Sequence, residues 1–266
     1  MAIPLKADAT RRQADDTRGR RQSRYREFMP SNPAAALATA CTWEGWAGWA
    51  RDFRLLPDGC VDVVWNGATL MACTAAPVAQ RAHLWADSRN VGLRLTCGTA
   101  DAILGMPMDH LPAGAIRLRE TWGTLAVQGE VLLAQVSTPA DQRAVLEGLV
   151  VARLNDGHRP DATIVDAVRR LAVPATTVAM AADASGLATR ELHRRFHRSI
   201  GYGPKALQRV QRFGRFIRRI AVVADGSATL ASLAADLGYA DQAHLGRECR
   251  QIAGSSPGAL VRSWRQ

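Results

Sequence analysis

Residues 187–204 read LATRELHRRFHRSIGYGP, and residues 230–257 read LASLAADLGYADQAHLGRECRQIAGSSP. Laid on each other with a shift of 53 residues, the two stretches pair Leu192 with Leu245, Arg194 with Arg247, Gly201 with Gly254 and Pro204 with Pro257. The match runs outward from Ala181-Ala182-Asp183 against Ala234-Ala235-Asp236 to Leu207 against Leu260 and Arg209 against Arg262. In-register duplication of this kind is the mark of a tandem structural unit.

Each copy has the pattern of a helix-turn-helix. A short alanine-rich helix (177–184; 230–237) is followed by a glycine turn at Gly186 or Gly238 and then by a second helix. Thr189 and Asp241 are the expected N-caps of the second helices. In the first copy Leu192 and Phe196 lie four apart and face inward, so Arg190, His193, Arg194 and His197 share the opposite face. Such a face suits a major groove, where arginine pairs with guanine through two hydrogen bonds. The second copy presents Gln242, His244, Arg247 and Arg250, while Ala243 and Gly246 stand where the first has Arg190 and His193, so its base reading is expected to be weaker.

Between the copies a helix is expected over 204–223, opened by proline and rich in arginine (Arg209, Arg212, Arg215, Arg218, Arg219). About twenty residues at ~1.5 Å each span ~30 Å, near the ~34 Å between successive major-groove segments on one side of B-DNA. One chain could then fill two adjacent grooves. An isolated helix-turn-helix pattern also arises from any two packed helices, and an arginine-rich face also arises from plain solvation. Duplication, spacer length and local charge together decide for DNA.

The net charge of +10 is uneven: residues 175–266 carry +8, residues 1–26 carry +5 and residues 27–174 carry −3. Basic segments favour polyanions because each neutralised phosphate releases counterions. Residues 1–24 hold few large apolar side chains and are expected to be a disordered basic tail. The five cysteines are spread without a CxxC pair, so neither zinc nor disulfide chemistry is expected. No apolar run reaches membrane length and no secretory leader opens the chain, which places it in the cytoplasm.

The expected fold class is α+β. A β-rich region over 25–123, barrel-like in one form, has strands at 60–65, 69–73 and 91–95 and helices at 33–41 and 100–104. A helical connector over 124–164, with helices at 125–136 and 141–154, leads to a further helix at 164–171 and an all-α region over 165–266. Asp62 interrupts an apolar strand. With Arg54, Trp65 and Arg94 it forms the candidate effector set, although alternation puts Asp62 with Val64 on one face of the strand, and a solvent face is the stronger reading. Trp43, Trp46 and Trp49, at three-residue spacing, fit core packing better than an aromatic cage.

On these motifs, residues 165–266 resemble the tandem DNA-binding domain of the AraC/XylS family of bacterial transcription regulators. The resemblance implies a bipartite DNA site and base-reading roles for Arg190, His193 and Arg194 in one unit and Gln242, Ala243 and Arg247 in the other. Two positions depart from the family pattern: Cys249 replaces a core phenylalanine, and Gly258 replaces an aromatic residue. LLPDGCVDVVWNG (55–67) and LRLTCGTADAILGMP (93–107) resemble the N-terminal domain of a less-studied subgroup of that family, which implies an effector-binding or dimerising module. The expected partners are double-stranded DNA and a small-molecule effector, with RNA polymerase and a second copy as further candidates, and no membrane or cofactor.

An enzyme would have Cys60, His83, Asp58 and Asp62 to work with, but no GxSxG, P-loop, HExxH or dinucleotide turn organises them. A non-specific or architectural nucleic-acid binder is the other alternative, separable by competition with random DNA.

Overall fold

The computed structural model describes residues 23–265. The basic tail expected over 1–24 lies outside these residues except for its last two. From Arg24 the chain is already in strand β1 (Arg24–Phe28), followed by β2 (Thr39–Trp46), β3 (Arg51–Leu55), β4 (Asp62–Trp65), β5 (Leu70–Cys73), β6 (Gln80–Leu84) and β7 (Arg89–Leu95). Helix α1 (Ala100–Leu104), strand β8 (Ala115–Arg117) and helices α2 (Arg119–Trp122), α3 (Thr124–Gln135) and α4 (Pro139–Asn155) complete the first half. The rest is helical: α5 (Ala162–Leu171), α6 (Val178–Ala184), α7 (Thr189–Ile200), α8 (Pro204–Arg218), α9 (Ala221–Ala224), α10 (Leu230–Asp236), α11 (Gln242–Ala253) and α12 (Pro257–Arg265).

The α+β expectation holds, but the strands do not close into a barrel. They form a six-stranded antiparallel sheet in the order β1-β2-β7-β4-β5-β8 and a separate two-stranded ribbon of β3 and β6. The alanine-rich stretch expected as a helix over 33–41 keeps only a 3-10 turn at Ala35–Leu37 before entering β2. Pairing of Thr39 and Cys41 with β7 outweighs local helix propensity there, and β1 flanks the strand from Thr42 onward.

Alternation divides the sheet into two faces. Val63, Leu93, Ala72 and Ile116 face α3 and α4, whose Ala126, Leu133, Leu146, Leu149 and Val150 join the same core. The first two helices of the expected connector are thus packed on the sheet. Glu130 of α3 accepts from the Leu70 backbone N–H at 2.9 Å, and Glu147 of α4 accepts from the Ser31 and Asn32 backbone N–H groups. On the opposite face Trp43 covers Gly92 so closely that a Cβ there would lie 2.2 Å from the indole.

Two further cores organise the helical half. Leu192, Phe196 and Ile200 of α7 pack with Ala181 and Ala182 of α6, Ile164 and Val168 of α5, and Leu207 of α8. Leu245, Cys249 and Ile252 of α11 pack with Leu233 and Ala234 of α10 and with Phe213, Phe216 and Ile217 of α8. Cys249 is fully buried, so the smaller side chain is enclosed at this position.

A candidate nucleic-acid interface

The two helix-turn-helix units are built alike, with one difference in register. Thr177 and Thr229 cap α6 and α10 by accepting from Met180 and Ser232 backbone N–H groups. The Leu187 N–H reaches the Ala182 carbonyl as the Tyr239 N–H reaches the Ala234 carbonyl. These pairs are 52 residues apart, whereas α7 and α11 correspond at 53, so the turn of the second unit holds one extra residue. The Ala-Ala-Asp match at 53 is therefore not the structural equivalence of the first helices. The extra residue also separates the caps: Asp241 accepts from the His244 N–H at 2.5 Å and caps α11, whereas α7 is preceded by Ala188 without a side-chain cap. Thr189, the expected cap, is instead the first helical residue.

On α7 the expected face is exposed: Arg190, His193, Arg194 and His197 point outward while Leu192, Phe196 and Ile200 are buried. The His193 and His197 imidazoles converge on Gly203, within 3.5 and 3.4 Å of where its Cβ would stand. Sequence reading missed Glu191. Its carboxylate accepts from Arg194 Nε and Nη2 at 2.8 and 2.7 Å and from Arg195 Nε at 2.7 Å. Hydrogen bonds from Arg194 and then Arg195 hold its carboxyl down at about 2. The legible signal was the Glu-to-Arg spacing of three and four on one helix.

On α11, Gln242, Ala243, Arg247 and Arg250 are exposed. His244 differs from the expected outward reader. Its Nδ1 accepts from the Ala240 N–H at 3.2 Å and its ring stands edge-on to Tyr239, so it stiffens the extended turn. Arg190 and Arg247 have no ion pair among the described residues, which leaves their guanidinium groups available to a ligand.

Helix α8 stops at Arg218, five residues short of the expected end, and its ~22 Å at ~1.5 Å per residue no longer spans the groove repeat alone. Its arginines are largely engaged within the fold. Arg212 donates to both oxygens of the buried Glu248, from Nε at 3.1 Å and Nη2 at 2.5 Å, and Arg209 Nε adds a contact at 3.3 Å. Tyr239 donates its hydroxyl to the same carboxylate at 2.8 Å. Burial opposes the charge of Glu248, yet hydrogen bonds from Arg212 and Tyr239 bring its carboxyl below the ordinary range. Arg215 is bound to the Ala172 carbonyl and Arg219 to Asp236. This spacer tethers the second unit to the first rather than offering a free basic stripe.

Of the candidate effector residues, the structure joins two. Asp62 and Arg94 are opposite each other in the sheet and are 2 % and 1 % exposed, so the face expected to meet solvent is buried. Arg94 Nε donates to Asp62 at 3.0 Å and its Nη1 to Glu27 at 3.1 Å, with Asp58 3.6 Å away. Burial works against this guanidinium's charge, but Asp62 and Asp58 hold it protonated well above its ordinary range. Trp65 belongs to the core on the other face of the sheet. Arg54 is not part of this cluster: its Nη1 donates to the Ala253 carbonyl at 2.8 Å and the Ser255 hydroxyl at 2.6 Å, at the end of α11.

Residues 181–263 match a family model described as a helix-turn-helix domain. No curated protein matches the chain. Among solved structures, ToxT from Vibrio cholerae aligns at TM-score 0.42 and 10% identity, covering 80% of this chain and 97% of that one. A structure of ToxT from Vibrio cholerae O395 gives 0.40 and 10%, with 91% and 97% covered. ToxT bound to an unsaturated fatty acid gives 0.37 and 10%, with 80% and 94% covered. Among the described residues no helix is long and apolar enough to cross a membrane.

Proposed function

Since the C-terminal region carries an AraC-type helix-turn-helix domain, we propose that the chain is a transcription regulator that reads two adjacent major-groove segments, one with α7 and one with α11. The observation that carries this reading is the paired construction of the two units, each presenting exposed polar side chains from its second helix, with Arg190 and Arg247 outside every ion pair among the described residues. Base contacts belong to Arg190, His193, Arg194 and His197 on α7 and to Gln242, Ala243 and Arg247 on α11. His244 contributes through the turn it stiffens.

The first half is read as the regulatory region, with an effector acting at the Arg94–Asp62–Glu27 centre. A buried arginine ringed by carboxylates is costly to keep without a role in specificity or binding. RNA polymerase and a second copy of the chain belong to the same proposal as partners of the bound regulator.

The test is a footprint of the purified protein on DNA upstream of its own and neighbouring genes, with excess random competitor. Two protected patches about one helical turn apart support the reading. Retention without discrete protection, falling steeply with salt, points to a non-specific binder.

A further inference from the structure

The first half of the chain touches both helix-turn-helix units, each at the C-terminal end of its second helix. At the first unit, Ser199 of α7 donates its hydroxyl to Asp101 of α1 at 3.0 Å, and Arg198 stands 3.8 Å from the same carboxylate. Gly201, which ends α7 in a left-handed turn, packs on Met108. Gly59 rests against Leu207 and Tyr202, so closely that a Cβ there would be 2.8 Å from Leu207.

At the second unit, Arg54 from the β3–β6 ribbon holds the Ala253 carbonyl and Ser255, placing a cation on the negative end of α11. The Ala79 N–H donates to the Ile252 carbonyl at 2.6 Å, and Leu56 packs into the second unit's core. Between the units themselves, α8 is a single rod that joins both cores. A single rod leaves bending and twist free, and a second connection through the first half closes the frame.

We infer that Arg54 and Asp101 are positioning residues for DNA reading: through them the first half of the chain braces α7 and α11 from behind and fixes the distance and angle between the two reading helices. The brace itself does not depend on DNA. Its consequence for site spacing rests on the two-groove reading proposed above. One inserted base pair rotates a half-site by about 34° on a duplex of about 10.5 base pairs per turn, a change a rigid pair of helices cannot follow. A loosened pair can.

The experiment measures the separation of the helices directly in the full chain, with spin labels on unnatural amino acids at the exposed positions Ala188 and Ala243. One narrow distance distribution is expected in the parent protein and in Arg54→Lys, which keeps a donor to the helix end. A broadened one is expected in Arg54→Glu, whose carboxylate faces the Ala253 carbonyl, and in Asp101→Ala. Arg54 lies at the surface, and helix content by circular dichroism verifies that each variant is folded. Unchanged width in both Arg54→Glu and Asp101→Ala overturns the brace.

The unlabelled parent and variants, with Ala243 intact, are then titrated with the footprinted site and with versions carrying one base pair more or less between the halves. The parent is expected to lose about tenfold or more on respacing, and Arg54→Glu to lose less than a third of that factor. A broadened distance with an unchanged spacing ratio overturns the role in DNA reading. Broadening in a protein that shows no bipartite footprint upholds the brace and sinks the two-groove function.

Discussion

Arg194 is bound at two points to Glu191, one turn earlier on α7, so the arginine expected to read a base is already paired in the free protein. Binding DNA must exchange this partner for a base or phosphate. Glu191→Gln is therefore expected to raise DNA affinity several-fold at low salt, with the gain shrinking as salt screens the lost charge. Arg194→Ala is expected to weaken the cognate site by about tenfold or more while barely affecting random DNA. Equal losses on both DNAs, read by competition titration, would show that Arg194 touches only phosphate.

The Glu248 carboxylate is the centre of the joint between α8 and α11. Glu248→Ala leaves Arg212 and the Tyr239 hydroxyl without their partner and is expected to cost about 2–4 kcal/mol. Its folded carboxyl lies below the ordinary range, so its stabilisation is present above that range and is lost as pH falls through the lowered folded value. Urea melts at neutral and acid pH check both: the parent should approach the variant as pH falls. A constant difference would contradict the assignment.

Asp101 works in the other direction. Burial raises its carboxyl above the ordinary range, only partly offset by the Ser199 hydrogen bond, by the Ala102 backbone N–H and by Arg198. Between the ordinary and the raised value the packed state therefore binds more proton than the exposed state. Contact between α1 and α7 is strongest at low pH and weakens as pH rises through the raised folded value. Hydrogen exchange of the α7 C-terminal turn should speed up over that rise in the parent. In Asp101→Asn it should stay flat.

Gly92→Ala brings a methyl group within 2.2 Å of the Trp43 indole and is expected to cost about 3 kcal/mol. Adding Trp43→Leu should recover part of that loss, because the two changes share one volume. Additive melting shifts would mean that the close approach is not what makes glycine necessary here.

Arg247→Ala is expected to relax base preference in one half of the DNA site and leave the other unchanged. Selection of preferred sequences from a randomised pool reads this out. A change spread over both halves contradicts the assignment of one unit to each half.

The amino-acid sequence by itself determined the two helix-turn-helix units, because their helices follow from a 3.6-residue pattern and their duplication needs no partner. It also placed α1, α3, α4 and the strands around Asp62 and Arg94 to within a few residues, since apolar spacing and turn residues are local signals. The tertiary structure decided what depends on distant partners. Strand β2 exists because β7 and, from Thr42 onward, β1 flank it, against the helical preference of the alanine-rich stretch that runs into it. Asp62 is buried because Arg94, Glu27 and Asp58 converge on one face of the sheet. Arg54 meets Ala253 across 199 residues of chain, and no pattern around either residue records that contact. Periodicity reports which side of an element is apolar; the identity of what lies against that side is fixed only when the chain has closed on itself.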